Sequence, residues 1–121
     1  MENKRRFPRA EVQLDSSIRT QTSILIHNAR VKDISECGIC LQLKQHFGVG
    51  TALFVKIRLK FDANPITAPA RVVRVGRGTH KLYPFDTGLD FVQLQPADRD
   101  RIRLFALDAH KNAPDDHQWQ H

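Results

Sequence analysis

The chain has 121 residues, 40% of them hydrophobic and 26% charged, with 19 Lys and Arg against 13 Asp and Glu for a net charge of +6. That length suits one domain around a single core. No apolar run reaches the ~18 residues of a membrane span, two cysteines make no disulfide framework, and the charged N-terminus is no secretory signal, so a cytoplasmic protein with no membrane insertion is expected.

The cationic excess favours anionic partners but does not choose among nucleic acid, acidic lipid and a small phosphate ligand. It is concentrated first in "KRRFPRAEV", residues 4 to 12, where Lys4, Arg5, Arg6 and Arg9 surround Phe7-Pro8. Pro8 fixes its own φ and biases Phe7 away from the α region, so residues 1–10 read as an extended, flexible arm. From Glu11 onward short apolar segments recur between turn signals, the pattern of antiparallel strands. Val12, Leu14 and Ile18 open the series.

"SILIHNARVKDI", residues 23–34, is the longest candidate strand, with a bulge expected near His27 and Asn28 where the alternation changes phase. In "GICLQL", residues 38–43, Ile39, Leu41 and Leu43 share one face while Cys40 and Gln42 take the other. "ALFVKIRL", residues 52–59, follows a loop with two glycines. Residues 66–75 form the next strand, where Pro69 suggests an edge position or a bulge. The last strand is expected from about Tyr83 to Leu94; within it Gly88 leaves room for another backbone or a ligand to approach. At Pro96 the period becomes helical, with Ile102, Phe105, Ala106 and Ala109 on one face and Asp98 and Asp100 near the N-terminus. Residues 110–121, Trp119 included, read as a mobile tail. A string of short strands that must hide its edges closes most simply into a small barrel, so residues 11–109 are expected to form one barrel capped or flanked by the helix.

Two motifs carry chemistry. Arg5 and Arg9 make an RxxxR that encloses Arg6, and Asp33, Ser35 and Gly38 make a DxSxxG after a gap of 23 residues, Ala10 to Lys32. Taken alone, the first reads as a solvated basic terminus and the second as an Asx-type turn. Together they make complementary chemistry. Guanidinium groups pair bidentately with phosphate and with the O6/N7 edge of guanine, and they stack on bases. A carboxylate accepts from the N1 and N2 donors of guanine's Watson–Crick edge, where adenine presents the wrong pattern. Ser35 can hydrogen-bond phosphate or base, and Gly38 allows a tight turn beside a ligand.

The ordered pair of motifs resembles the PilZ domain family, and the resemblance extends over nearly the whole chain, including the glycine-bearing "DTGLDFVQL" and the final helix. It implies a six-stranded antiparallel β-barrel followed by a C-terminal α-helix. It also implies that Arg5, Arg6, Arg9, Asp33, Ser35, Gly38 and Gly88 bind the bacterial second messenger cyclic di-GMP. Such a protein is a receptor with no cofactor, which relays its signal to a downstream protein partner by ordering the arm. Lys4 and Arg6 would also suit a stacked pair of such ligands.

Other readings are weaker. No catalytic loop, zinc signature or paired-carboxylate frame is present, so an enzyme is not expected. "CGIC", Cys37 to Cys40, enters a strand rather than a helix, so its thiols face opposite ways and are not a redox pair. A small barrel binding single-stranded nucleic acid would need an exposed aromatic platform, which one tyrosine and one tryptophan do not promise, so nucleic acid is disfavoured. An interaction adaptor using the same scaffold without nucleotide is the remaining alternative.

Overall fold

The computed structural model describes the backbone of residues 10–59 and 64–111. Its elements are β1 (Ala10–Thr20), β2 (His27–Ile34), β3 (Gly38–Leu43), β4 (Ala52–Ile57), β5 (Ile66–Arg77), β6 (Phe85–Phe91) and α1 (Pro96–Lys111). The strands form a closed barrel in the order β1-β2-β3-β6-β5-β4, antiparallel throughout. Closure pairs both sides of every strand, so the fold exposes no long ladder edge.

The interior follows from period-2 alternation. Ile39, Leu41 and Leu43 point inward from β3, Leu53, Val55 and Ile57 from β4, and Ile66, Ala68, Ala70 and Val72 from β5, all essentially buried. Each large aliphatic side chain withdrawn from water contributes roughly 1.5–3 kcal/mol. Among the described residues phenylalanine is peripheral: Phe47, Phe91 and Phe105 are partly buried and pack against this aliphatic cluster. Helix α1 opens with Pro96 and carries Asp98 in its first turn, where the helix dipole favours negative charge. Ile102 and Ala106 are its buried contacts. Arg101 bonds the Asp98 carboxylate at 3.0 Å and the carbonyl of Asn64, fastening the helix to the segment that precedes β5.

Several sequence expectations need correction. Ser23 to Ile26 are not strand: β1 pairs Ile18 with His27, so β2 begins at His27 and the preceding aliphatic residues fall in the connection. Both pairing irregularities of β2 lie near Asp33, not at His27 and Asn28. Pro69 is neither on an edge nor in a bulge. It faces Phe54 across the β4 ladder, and its carbonyl accepts from Val92 N at 2.9 Å, just past the last β5–β6 pair, Ala70 with Phe91. Its missing N–H therefore falls where that ladder has ended. β6 is shorter than expected because the Gly78 N to Pro84 O bond, 2.7 Å, closes the hairpin just before Phe85, and the chain leaves the ladder after Phe91. The helix extends to Lys111, past the expected start of the tail. The expected arm residues 1–9, with Arg5, Arg6 and Arg9, and residues 112–121, with Trp119, lie outside the described residues.

Candidate functional site

The segment from Asp33 to Gly38 forms the turn between β2 and β3. Ser35 N donates to Gly38 O at 2.9 Å, and the Ser35 hydroxyl oxygen accepts from Cys37 N at 3.3 Å, so the serine side chain closes the turn from inside. Ser35 is 2% exposed, which makes it part of the turn's frame. Gly38 answers a steric demand: a Cβ there would lie 2.3 Å from the backbone oxygen of Leu89.

Asp33 reaches the outer surface through a break in the alternation. Ala29 and Val31 point inward, and unbroken alternation would carry Asp33 inward as well. The register shifts between Val31 and Asp33, which turns the carboxylate outward and leaves Ile34 to fill the core. An equivalent shift occurs on β5. Ile66 through Val72 alternate inward, and the irregularity between Val72 and Arg74 turns Arg74 outward, opposite Gly88.

The two bulges place both charges in one row. Asp33 pairs with Cys40, Cys40 with Gly88, and Gly88 with Arg74, across β2, β3, β6 and β5. Three interstrand steps of about 4.8 Å separate the strands bearing the acid and the arginine by roughly 14 Å. Between them the floor is low, because Cys40 is small and buried and Gly88 has no side chain. What approaches Gly88 is the guanidinium of Arg74: a Cβ at Gly88 would lie 3.2 to 3.3 Å from its carbon and terminal nitrogens. Sequence reasoning singled out Gly88 and not the Arg74 that lies beside it. The signal was the bulge, and nothing in "RVVRV" marks which residue doubles.

Charges beside the row are ordered. Lys32 Nζ binds Asp86 Oδ2 at 3.0 Å, linking β2 to β6 across β3. That hydrogen bond and the attraction of the same carboxylate raise the Lys32 pKa, so the ammonium stays charged. Burial, reinforced by the charge on Asp33, pushes the Cys40 thiol up and keeps it neutral. Cys37 is exposed in the turn, and both cysteines are free thiols, as their placement on a turn and a strand requires.

The row lies next to the entry of the N-terminal segment. Ala10, which follows Arg9 in the chain, pairs with Ile34, and Glu11 pairs with Asp33. The first described residue therefore stands beside the turn that carries Ser35.

This architecture has known counterparts. A family model of the PilZ domain matches residues 3–108. No curated protein sequence matches the chain at a significant level. Among solved structures, the Bacillus subtilis inhibitor of motility MotI/DgrA superposes with a TM-score of 0.79 at 21% identity, over 91% of this chain and 53% of its own. The PilZ domain of Escherichia coli YcgR, solved with c-di-GMP, gives 0.71 at 11% identity, over 96% of this chain and 98% of its own. K. pneumonia MrkH gives 0.68 at 22% identity, over 87% of this chain and 49% of its own. The chain thus spans about half the length of MotI/DgrA and MrkH, and nearly all of the YcgR domain. By the extent of the family match and the barrel that accompanies it, the chain belongs to the PilZ domain family.

Proposed function

We propose that the chain is a non-enzymatic receptor for cyclic di-GMP, which binds across the outer face of the barrel from the N-terminal arm to Arg74. The observation that carries this reading is the pairing of Ala10 with Ile34, by which the described chain begins beside Asp33 and Ser35, at the residue that follows the Arg5–Arg9 motif in the sequence. Arg5 and Arg9, assisted by Arg6, hold phosphates and guanine edges, and Asp33 accepts from the guanine N1 and N2 donors. Gly38 and Ser35 shape the turn that presents Asp33. Arg74 offers a flat cationic surface beside Gly88 for a base or phosphate. The structure of the YcgR PilZ domain with c-di-GMP supports the ligand class by family analogy.

Binding relays a signal when the arm is differently placed with and without ligand, because a ligand shifts states only by its differential affinity for them. Calorimetry with cyclic di-GMP, cyclic di-AMP and a short oligonucleotide tests the reading. Heat with the first alone, together with slowed amide exchange in residues 2–10, is the expected result. Heat with the oligonucleotide alone would replace the proposal, and unchanged exchange would remove the switch while sparing the receptor. The exposed large apolar side chains argue against nucleic acid, since those among the described residues are all aliphatic and offer no stacking platform.

Gly88→Ala separates this site from mere folding. The atoms nearest the added methyl all belong to the end of the Arg74 side chain, which can turn aside where backbone could not, so stability should change by less than about 1 kcal/mol. Displacing the guanidinium should weaken cyclic di-GMP binding several-fold by titration. Unchanged affinity would exclude Arg74 from the ligand face.

A further inference from the structure

The end of the barrel remote from the Asp33–Gly38 turn carries a second surface feature, independent of nucleotide binding. Three connections meet there: 21–26 between β1 and β2, 44–51 between β3 and β4, and 78–84 between β5 and β6. In the barrel order β3 and β4 stand opposite one another, so the middle connection crosses the end while the other two flank it. Contacts join them. The rings of His27 and Phe47 meet edge to face at 5.6 Å, those of His46 and Phe85 at 5.5 Å, and Lys44 Nζ lies 5.4 Å from the Tyr83 ring centre.

Aliphatic side chains project from each connection instead of packing. Ile24 is 93% exposed, Leu25 62%, Ile26 64%, Val49 67% and Leu82 68%. Backbone bonds hold the tips in shape: Leu25 N donates to the Ser23 hydroxyl, and Leu82 N and Tyr83 N both donate to His80 Nδ1, each at 3.0 to 3.1 Å. The charge within the connections has one sign. The three connections contain Lys44 and Lys81 and no acidic residue, and Arg19 and Arg77 stand on the strands that lead into two of them. The nearby acid Asp86 is already engaged by Lys32.

We infer that this end of the barrel docks on an anionic lipid bilayer, with Ile24, Leu25, Ile26, Val49 and Leu82 entering the headgroup boundary and Lys44, Lys81, Arg19 and Arg77 meeting the lipid charge. A bilayer fits better than a folded protein because the apolar groups protrude from separate tips, which a protein partner would have to match with separate pockets and a fluid boundary accepts without any. No described helix is long and apolar enough to cross a membrane, so the contact is peripheral. It also leaves the opposite end, where β1 enters beside Asp33, facing solvent.

Co-sedimentation of the full chain with vesicles tests the inference, using phosphatidylcholine alone and an equal mixture of phosphatidylcholine and phosphatidylglycerol. The chain should sediment with the mixed vesicles, remain in solution with the neutral ones, and be released by salt. The triple substitution Ile24→Ser, Leu25→Ser and Ile26→Ser should weaken partitioning roughly tenfold or more, and Lys44→Glu with Lys81→Glu should do the same. Unchanged circular dichroism and thermal midpoints in both variants exclude misfolding. Failure of the unaltered chain to bind mixed vesicles overturns the inference. So does loss on charge reversal with none in the serine variant, which would mean diffuse attraction only. Self-association of the unaltered chain that the serine variant abolishes, without vesicle binding, would assign the surface to a second copy instead.

Discussion

Gly38→Ala is expected to destabilise the barrel by roughly 2–3 kcal/mol and to lower its thermal midpoint by about 5–12 °C. The new Cβ would lie 2.3 Å from the carbonyl oxygen of Leu89, well inside contact distance, and the obstacle is backbone. Leu89 cannot swing aside as a side-chain end could, because it pairs with Ile39 on β3 and Val72 on β5. Gly38 is held as firmly, since its carbonyl accepts from Ser35 N and it pairs with Asp90. The methyl therefore has to part β3 from β6 at the strand end where the Ser35 turn is anchored. Urea and thermal unfolding monitored by circular dichroism measure the cost. A midpoint equal to that of the unaltered chain would show that the strands yield, and that glycine stands at this position only for a ligand's sake. Contrast with Gly88→Ala, where the methyl meets a side-chain terminus, makes the pair of substitutions a direct measure of how firmly each glycine is enclosed.

The sequence made the barrel legible wherever alternation ran unbroken. Ile39, Leu41 and Leu43 alternate with Gly38, Cys40 and Gln42, and β3 occupies the expected residues. Pro96 and the spacing of Ile102 and Ala106 likewise predict the helix and its buried face. Legibility failed where side-chain type and pairing disagree. Ser-Ile-Leu-Ile has strong strand preference, yet the pairing of Ile18 with His27 leaves those residues nothing to pair with, and they stand in solvent. Register is a long-range property, so local composition could not reveal it.

The candidate site shows the same division. Asp33, Ser35 and Gly38 were legible as a motif because a turn needs those residue types at that spacing. Arg74 was not, because its outward aim depends on one doubled residue in β5, and a shift of one residue sends every later side chain to the other face. Both bulges serve the same row, one aiming the acid and the other the arginine. Without them the regular alternation would direct both charges into an aliphatic core, where an unpaired charge is prohibitively costly.

That arrangement gives the proposed ligand chemistry its second large effect, in Arg9→Ala and Asp33→Asn. A lost bidentate contact removes about 1–3 kcal/mol, so Arg9→Ala should lower cyclic di-GMP affinity roughly 5- to 150-fold. Asp33→Asn should lower it by a similar factor and also alter selectivity. The carboxylate offers only acceptors, which suit the N1 and N2 donors of guanine; an asparagine amide offers one acceptor and one donor group, which suit the N6 donor and N1 acceptor of adenine. Preference for cyclic di-GMP over cyclic di-AMP should therefore narrow in this variant, an effect that loss of stability cannot imitate. Titration calorimetry with both ligands measures it, and the thermal midpoint of each variant should stay within a few degrees of the unaltered chain. If Arg9→Ala binds normally, the arm takes no part in recognition. If Asp33→Asn loses affinity for both ligands equally, the carboxylate does not read the base, and its outward turn on β2 serves the phosphates' cationic partners instead.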